Sequence, residues 1–224
     1  VKIFVQGTNR WRDEDEWPLK RRQQVKFYFH AGKKLSKSVP NGSTSPDNYI
    51  YDPNNPCPTH GGNTLLPPQY TPGPVDQTPI LGRTDILQYT TEVLTEPLEV
   101  TGQVSAKIFA STSGKDTDWI VKLCDVHADG TTYNVCDGVL RAAFRDGKTL
   151  RPVEPNKPIE YDIELWSTSY VFKAGHRIRV IVTSSDFPRY DRNPNTGESP
   201  QSATTMVPAV QQIHHSAERA SFVE

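Results

Sequence analysis

Apolar and polar side chains alternate along several stretches of this chain. The clearest stretch is Leu98–Ala110, in which one face carries apolar residues and the other carries polar and charged residues. Alternation with a period of two is typical of an antiparallel strand that has one buried face. The same pattern recurs at residues 159–165 and 176–183. Gly102 interrupts the first stretch and predicts a bulge or a bend there.

A turn signal joins two further strand-like stretches. Asp129-Gly130 lies between residues 118–126 and 132–145, an arrangement typical of a β-hairpin. Met206–Ala220 is the best candidate for a helix, but its few apolar positions form no stripe. Strand signals without intervening helices predict an all-β, mostly antiparallel sandwich or barrel rather than a parallel α/β sheet.

Two segments interrupt the strand pattern. Residues 53–79 hold eight prolines, and proline donates no hydrogen bond to a sheet, so this segment cannot be a regular central strand. Its apolar residues indicate an ordered crossing loop rather than a disordered linker. The second segment, residues 186–197, mixes aromatic, charged and turn-forming side chains directly after a strong strand. We predict a structured loop there.

The charge balance excludes some classes of partner. The 224 residues include 25 basic and 26 acidic side chains, for a net charge of -1. A near-neutral chain has no electrostatic footprint for nucleic acid or for an anionic membrane. No apolar run approaches the ~20 residues of a membrane-spanning helix. We therefore expect neither a nucleic-acid partner nor a membrane partner.

The residues that usually carry chemistry form no recognisable centre. There is no Gly-x-Ser-x-Gly elbow, phosphate loop, dinucleotide fingerprint or zincin motif. The odd number of cysteines and their spacing indicate free thiols rather than disulfides or a zinc site. Asp116 and Asp118 lack the glycine and the distal glutamate of a calcium loop, and His176 is interpreted as a packed or hydrogen-bonded strand residue. We assign no catalytic, cofactor-binding or metal-binding residue, and we expect no cofactor.

Groups of residues along almost the whole chain match the motifs of one family, in that family's order. They include Gly7-x-Asn9-x-Trp11-Arg12-Asp13-Glu14-x-Glu16-Trp17-Pro18, Tyr51-Asp52-Pro53-Asn54, Asp116-Thr117-Asp118, Asp137-Gly138-x-Leu140-Arg141, Gly175-His176-Arg177-Ile178 and Phe187-Pro188-x-Tyr190-Asp191-Arg192-Asn193. With these motifs the chain resembles the C-terminal part of the X-Pro dipeptidyl-peptidase and cocaine-esterase family of serine hydrolases. The cocaine-esterase branch is the more similar one.

The resemblance implies that catalysis belongs to another part of the protein. Such hydrolases join an α/β-hydrolase domain to a jelly-roll β-sandwich similar to galactose-binding modules. Their serine, aspartate and histidine triad lies in the catalytic part, ahead of the segment that begins at Val1. No catalytic residue therefore carries over, and the isolated chain is expected to be inactive. Residues 1–22 are interpreted as the tail of the missing α/β-hydrolase portion, and residues 23–224 as the C-terminal jelly-roll domain.

Two functions follow as hypotheses. The first is a non-catalytic accessory domain that packs on the hydrolase domain, shapes its cleft or supports a homo-oligomer. The alternative is a carbohydrate-binding module, in which Trp119, Trp166 and Tyr170 stack on sugars. Aromatic exposure separates the two, because a sugar module needs exposed coplanar rings, whereas a docking domain exposes an apolar patch where its partner binds. The substrate and the cellular compartment stay open.

Five residues are candidates for an interface with the hydrolase domain. Trp11 and Trp17 stand among charged residues, an unusual composition for a core strand, so we expect both to be at least partly exposed. Phe187, Tyr190 and Arg192 belong to the second interrupting segment, which we expect to face the active-site side of the partner. The alternative for this segment is a surface loop whose polar groups bond only within the domain.

Overall fold

The computed structural model describes residues 1–224 and confirms an all-β, mostly antiparallel chain. The strands are β1 (Lys2–Val5), β2 (Arg10–Asp13), β3 (Phe27–His30), β4 (Lys34–Ser36), β5 (Asp47–Tyr51), β6 (Leu87–Thr90), β7 (Leu98–Thr112), β8 (Asp118–Val126), β9 (Thr132–Arg141), β10 (Ile159–Phe172), β11 (Arg177–Thr183), β12 (Ala209–Ser216), β13 (Arg219–Ala220) and β14 (Phe222–Val223). The helical elements are α1 (Thr78–Leu81) and a 3-10 turn at Ala142–Phe144. None of the helices has the length and apolar character that crossing a membrane requires.

The strands form one small sheet and one large curled sheet. β1 and β2 pair only with each other, whereas the large sheet has the order β13-β12-β7-β14-β3-β4-β6-β11-β8-β9. β10 adds to β7, and β5 adds to β12. Among the pairs of strands, only β4 and β6 are parallel, through Lys34 and Thr90. The jelly-roll connectivity implied by the resemblance stays a prediction.

Strands that are distant in the sheet order pack face to face around one main core. Trp119 of β8 lies against Tyr161 of β10, with ring centroids 5.6 Å apart. Within the sheet, Phe29 of β3 stacks on Tyr89 of β6, two strands along, at 4.2 Å. These aromatic rings belong to a cluster of 24 buried residues, so the sheet encloses its core as a sandwich does.

The expected hairpin is confirmed, but two local expectations are corrected. The bulge lies in β10, between Glu164 and Ser167, and not at Gly102, which pairs in register with Thr168; a bend at Gly102 stays a prediction. Trp166 provides the extra residue with a φ of 66°, a conformation that sequence reasoning expects of glycine. The segment considered for a helix instead contains β12 and β13, because alternating residues of β12 enter the core.

Candidate functional site

An aromatic pair projects from the first hairpin. Phe4 of β1 and Trp11 of β2 are cross-strand partners, with ring centroids 5.3 Å apart. Trp11 is 68% exposed and Trp17, in the following loop, is 40% exposed. Val5, the next residue along β1, is buried on the opposite face. The hairpin therefore attaches to the sandwich by one face and presents aromatic rings to solvent on the other.

The hairpin is fastened to the sandwich at two points. The backbone N–H of Gln6 donates to the carbonyl of Ser169 at 2.9 Å, and the N–H of Val171 donates to the carbonyl of Gln6 at 3.0 Å. Arg12 donates two hydrogen bonds, of 2.7 and 2.8 Å, to the carboxylate of Glu99. This bidentate pair lowers the pKa of Glu99 below its usual value. Residues 1–22 are thus attached to the sandwich, and their boundary at residue 22 stays a prediction.

Arginine and aromatic side chains alternate along the front of the loop at residues 187–197. The Arg192 guanidinium lies 5.3 Å from the centroid of the Phe187 ring, and that of Arg189 lies 4.8 Å from the Tyr190 ring. Arg192 also donates to the carbonyl of Pro53 at 3.1 Å. Phe187 is exposed, whereas Tyr190 and Arg192 are half-buried. The Arg192–Phe187 pair holds the exposed side of the loop in one conformation, whereas the Arg189 side chain is 9% exposed and lies beneath it.

The back of the same loop is anchored inside the sandwich. The amide group of Asn193 donates to Asp116 at 2.9 Å and to Asp118 at 3.0 Å. Asp118 also accepts two hydrogen bonds from Arg141, at 2.8 and 2.9 Å. Burial raises the pKa of Asp116. The two aspartates therefore act as anchors for the loop, in agreement with their structural interpretation from the sequence.

A buried cluster of four charges lies under the loop, and sequence reasoning missed it. The side chains of Lys122 and Asp186 are 2% and 1% exposed, with Nζ 3.6 Å from Oδ1. Arg189 lies 3.6 Å from Asp186 and donates to Asp137 at 2.8 Å. Burial raises the pKa of Asp186, and the two cations oppose that rise. A lysine in an alternating strand predicts a solvent-exposed face, so no sequence signal distinguishes this one.

The exposed tryptophans and the loop are separate features. No hydrogen bond, ion pair or ring stacking joins Trp11 or Trp17 to Phe187, Tyr190 or Arg192. The exposure that the sequence predicts for the two tryptophans is found. An interface through any of these five residues stays a prediction.

The aromatic residues proposed for sugar stacking do not form a platform. Trp119 is completely buried in the core, and Trp166 is 62% exposed at the bulge of β10. The hydroxyl of Tyr170 donates to Asp125 at 2.9 Å. Three rings with such different environments cannot stack on one sugar, so the carbohydrate-binding alternative is not supported.

A carboxylate and two imidazoles meet where β8 ends and β11 begins, and two buried cysteines lie outside this group. Asp125 accepts hydrogen bonds from His176 at 2.9 and 3.0 Å, which confirms the hydrogen-bonded role predicted for this histidine. His127 lies beside both residues. The cysteines are less reactive, because burial raises the pKa of Cys57 and of Cys124 to about 12. Both thiols are therefore protonated near neutral pH and are poor nucleophiles.

The family comparison covers the whole chain. Residues 1–224 match the family described as the X-Pro dipeptidyl-peptidase C-terminal non-catalytic domain. The chain belongs to this family. The family resemblance found in the sequence motifs is thereby confirmed, and so is the non-catalytic character of the domain.

Relatives of this X-Pro dipeptidyl-peptidase C-terminal domain are longer hydrolases. A cocaine esterase from Rhodococcus sp. (strain MB1 Bresler) is 44% identical over 237 residues, which cover 100% of this chain and 41% of the relative. An aminopeptidase structure from a marine-sediment Thaumarchaeota archaeon superposes with a TM-score of 0.92 at 34% identity. An α-amino acid ester hydrolase superposes with a TM-score of 0.90 at 31% identity. In both structures the match covers 100% of this chain and 40% of the other chain.

Proposed function

We propose that this domain packs on the α/β-hydrolase domain of a serine hydrolase and contributes one wall of its substrate cleft. The observation that carries the proposal is the share of each relative that the chain covers, 41% in the cocaine esterase and 40% in the two solved hydrolases. Their remaining length has room for a catalytic domain. An esterase or an X-Pro dipeptidyl-peptidase is the proposed class of the whole protein.

The aromatic pair of the hairpin supports a docking surface at this position. Phe4 and Trp11 lie against each other with tilted rings and project into solvent, beside the exposed ion pair of Lys2 and Asp13 on the same face. An apolar centre with a charged rim is the composition of protein interfaces. Exposed aromatic rings that are already held in place lose little side-chain entropy when they are buried by a partner.

The loop at residues 187–197 is proposed as the part that faces the substrate cleft. Its back is fixed by Asn193, and its front is fixed by the stacking of Arg192 on Phe187. A loop that is rigid and partly exposed is suited to shaping a cleft, because it positions side chains without further ordering on binding. The domain is also proposed to support a homo-oligomer, and the experiment below tests this.

We expect a chimera to reveal the docking surface. This chain replaces the homologous segment of the Rhodococcus cocaine esterase, and Phe4→Ser/Trp11→Ser is introduced into the chimera and into the isolated chain. The chimera should lose thermal stability by several degrees, since two exposed rings represent about 2–4 kcal/mol of interface energy. The isolated chain should lose only about 1–2 °C, because both rings are already largely exposed in it.

The controls separate docking from cleft shaping and from oligomerisation. Leu65→Ser removes a fully exposed apolar side chain elsewhere and should leave the chimera unchanged. Arg192→Ala should alter kcat/KM of the chimera with little change in the melting temperature of the isolated chain. Equal losses in chimera and isolated chain would contradict the proposal. A change in oligomeric state without a change in chimera kinetics would assign the hairpin to self-association instead.

The isolated chain should not hydrolyse esters or X-Pro peptides. The sequence contains no nucleophile elbow, and the buried thiols of Cys57 and Cys124 are protonated near neutral pH. The measurement is turnover of p-nitrophenyl esters and of an X-Pro-nitroanilide, with the chimera as the positive control. Saturable turnover by the chain alone that a serine-directed inhibitor blocks would overturn the prediction.

A further inference from the structure

We propose that Asp125, His127 and His176 bind one divalent cation of the zinc class. The three residues meet because of the register between β8 and β11. Val126 pairs with Arg177 and Asp125 pairs with Ile178, so the residue that follows β8 stands opposite the residue that precedes β11. In a strand, residues two apart share a face, and Asp125 therefore lies on the same side as the two histidines.

The distances between the candidate ligand atoms fit a tetrahedral ion. One nitrogen or oxygen atom from each residue lies within 4.8 Å of the other two. The Nε2 atom of His127 is 3.4 Å from Oδ2 of Asp125, and the Nδ1 atom of His176 is 2.9 Å from the same oxygen. Zinc ligands bound at about 2.0–2.2 Å in a tetrahedron are about 3.4 Å apart. The first pair already has this separation, and the second requires an opening of about half an ångström.

The buried carboxylate of Asp125 would attract a cation. The carboxylate side chain is 1% exposed, and its ion-pair partners are the two imidazoles, which are cationic only when protonated. No lysine or arginine forms an ion pair with it. A buried carboxylate without a permanent cation is costly. A bound cation would compensate its charge while both imidazoles stay neutral.

The surroundings already orient the ligands. The Tyr170 hydroxyl donates to Oδ2 of Asp125 at 2.9 Å, which fixes the plane of the carboxylate. The ring of His127 packs against Tyr133 at 5.0 Å and against His176 at 4.5 Å. Supporting contacts of this kind are typical of metal sites. Because the His127 side chain is 36% exposed, an ion has a path from solvent, and water can supply the fourth ligand.

The donor set determines the class of ion. Two imidazoles and one carboxylate suit zinc, cobalt, nickel or copper, whereas magnesium and calcium require a shell of oxygen atoms. The cation would lie between Nδ1 of His176 and Oδ2 of Asp125, which are now joined by a hydrogen bond, and the neutral imidazole would carry its proton on Nε2 instead. The bound ion would tie the end of the β8–β9 hairpin to the start of β11 and, through Tyr170, to β10.

The first test is binding of Zn²⁺ to the 224-residue chain after dialysis against a chelator. Calorimetry near neutral pH should show one ion per chain, with a Kd of about 1 µM or tighter for ligands that are already positioned. At about 100 times the Kd, the melting temperature should rise by about 5–10 °C. Mg²⁺ should produce neither effect. Absence of Zn²⁺ binding at about 100 µM would overturn the proposal, because the three side chains would then only bond to one another.

The second test assigns the ligands. His127→Phe keeps a ring against Tyr133 but removes the nitrogen, and it should weaken Zn²⁺ binding by about 100-fold or more. His30→Phe, outside the cluster, should bind as the unmodified chain does. Asp125→Asn tests the same site if His127→Phe does not fold. Tetrahedral Co²⁺ absorption bands should appear in the unmodified chain and be lost in His127→Phe. Binding that is equal in all variants would place the ion elsewhere and reject the site.

Discussion

Replacing Lys122 with methionine should lower the free energy of unfolding by about 3–5 kcal/mol, as expected when one partner of a buried ion pair is removed. The side chains of Lys122 and Asp186 are 2% and 1% exposed, so water cannot take the place of the ammonium group. Asp186 keeps only Arg189, at 3.6 Å, as a cationic neighbour, and Arg189 is already bonded to Asp137. The variant thus leaves the Asp186 carboxylate buried with one of its two cationic neighbours.

Denaturant unfolding with a matched set of variants checks this result. Lys122→Met/Asp186→Leu should recover most of the loss, because replacing a whole buried pair by apolar side chains is often neutral. Lys157→Met, at an exposed pair with Glu154, should change stability by less than about 0.5 kcal/mol. A loss below about 1 kcal/mol in Lys122→Met would show that Asp186 is not held as a buried charge.

The same variant should show a distinct pH dependence. Burial raises the pKa of Asp186 in the folded chain above its unfolded value, so the folded chain binds this proton more tightly than the unfolded chain does. The contribution of this group to stability is therefore present at low pH and is lost as the pH rises through the folded-state pKa. Removing Lys122 raises that pKa further. The deficit of Lys122→Met relative to the unmodified chain should consequently shrink as the pH is lowered from neutral.

Gly138→Ala should lower the free energy of unfolding by about 3 kcal/mol, because a methyl group at this position overlaps backbone that cannot yield easily. A Cβ atom on Gly138 of β9 would collide with the carbonyl oxygen of Glu164 in β10 and would crowd the side chain of Ile163. For a chain of this size, the melting temperature should fall by about 6–12 °C. Differential scanning calorimetry measures the change.

A second glycine provides the control for this substitution. Gly82, after α1, has an ordinary φ of -78°, and a methyl group added there would meet no other atom within 4 Å. Gly82→Ala should therefore be neutral within about 0.5 kcal/mol. A Gly138→Ala variant as stable as Gly82→Ala would mean that β9 and β10 separate at little cost.

Strands that have one solvent-facing side could be predicted from the sequence. β7 and most of β10 alternate cleanly, and the Asp129-Gly130 turn correctly predicts the β8–β9 hairpin. The pattern is less informative for β8, whose residues are buried on both faces. Lys122 then has the same spacing as a surface lysine, although it lies inside. Alternation of apolar and polar residues shows which face of a strand is buried. It gives no such information for a strand that is buried on both faces.

Features that depend on strand register could not be predicted from the sequence. His127 and His176 are far apart in the sequence and meet only because Val126 pairs with Arg177. The bulge at Trp166 was missed because a positive φ at a tryptophan has no sequence signal. The candidate interface residues were found by another route, since Trp11 and Trp17 stand in a composition that suits no core strand. The exposed surface was therefore easier to anticipate than the buried polar groups.

The bulge in β10 also affects how the domain behaves towards copies of itself. β10 pairs with β7 along one edge, so its other edge would offer a 14-residue template for an incoming strand. The bulge between Glu164 and Ser167 breaks that template, and Gln6 occupies the backbone groups of Ser169 and Val171 beyond it. Before the break, Glu160 and Asp162 form ion pairs with Lys107 of β7, and charged side chains at a sheet edge disfavour pairing with another chain. The bulge at Trp166, the contact with Gln6 and the approach of Gly138 in β9 to Glu164 thus leave little of this edge free to pair with another chain.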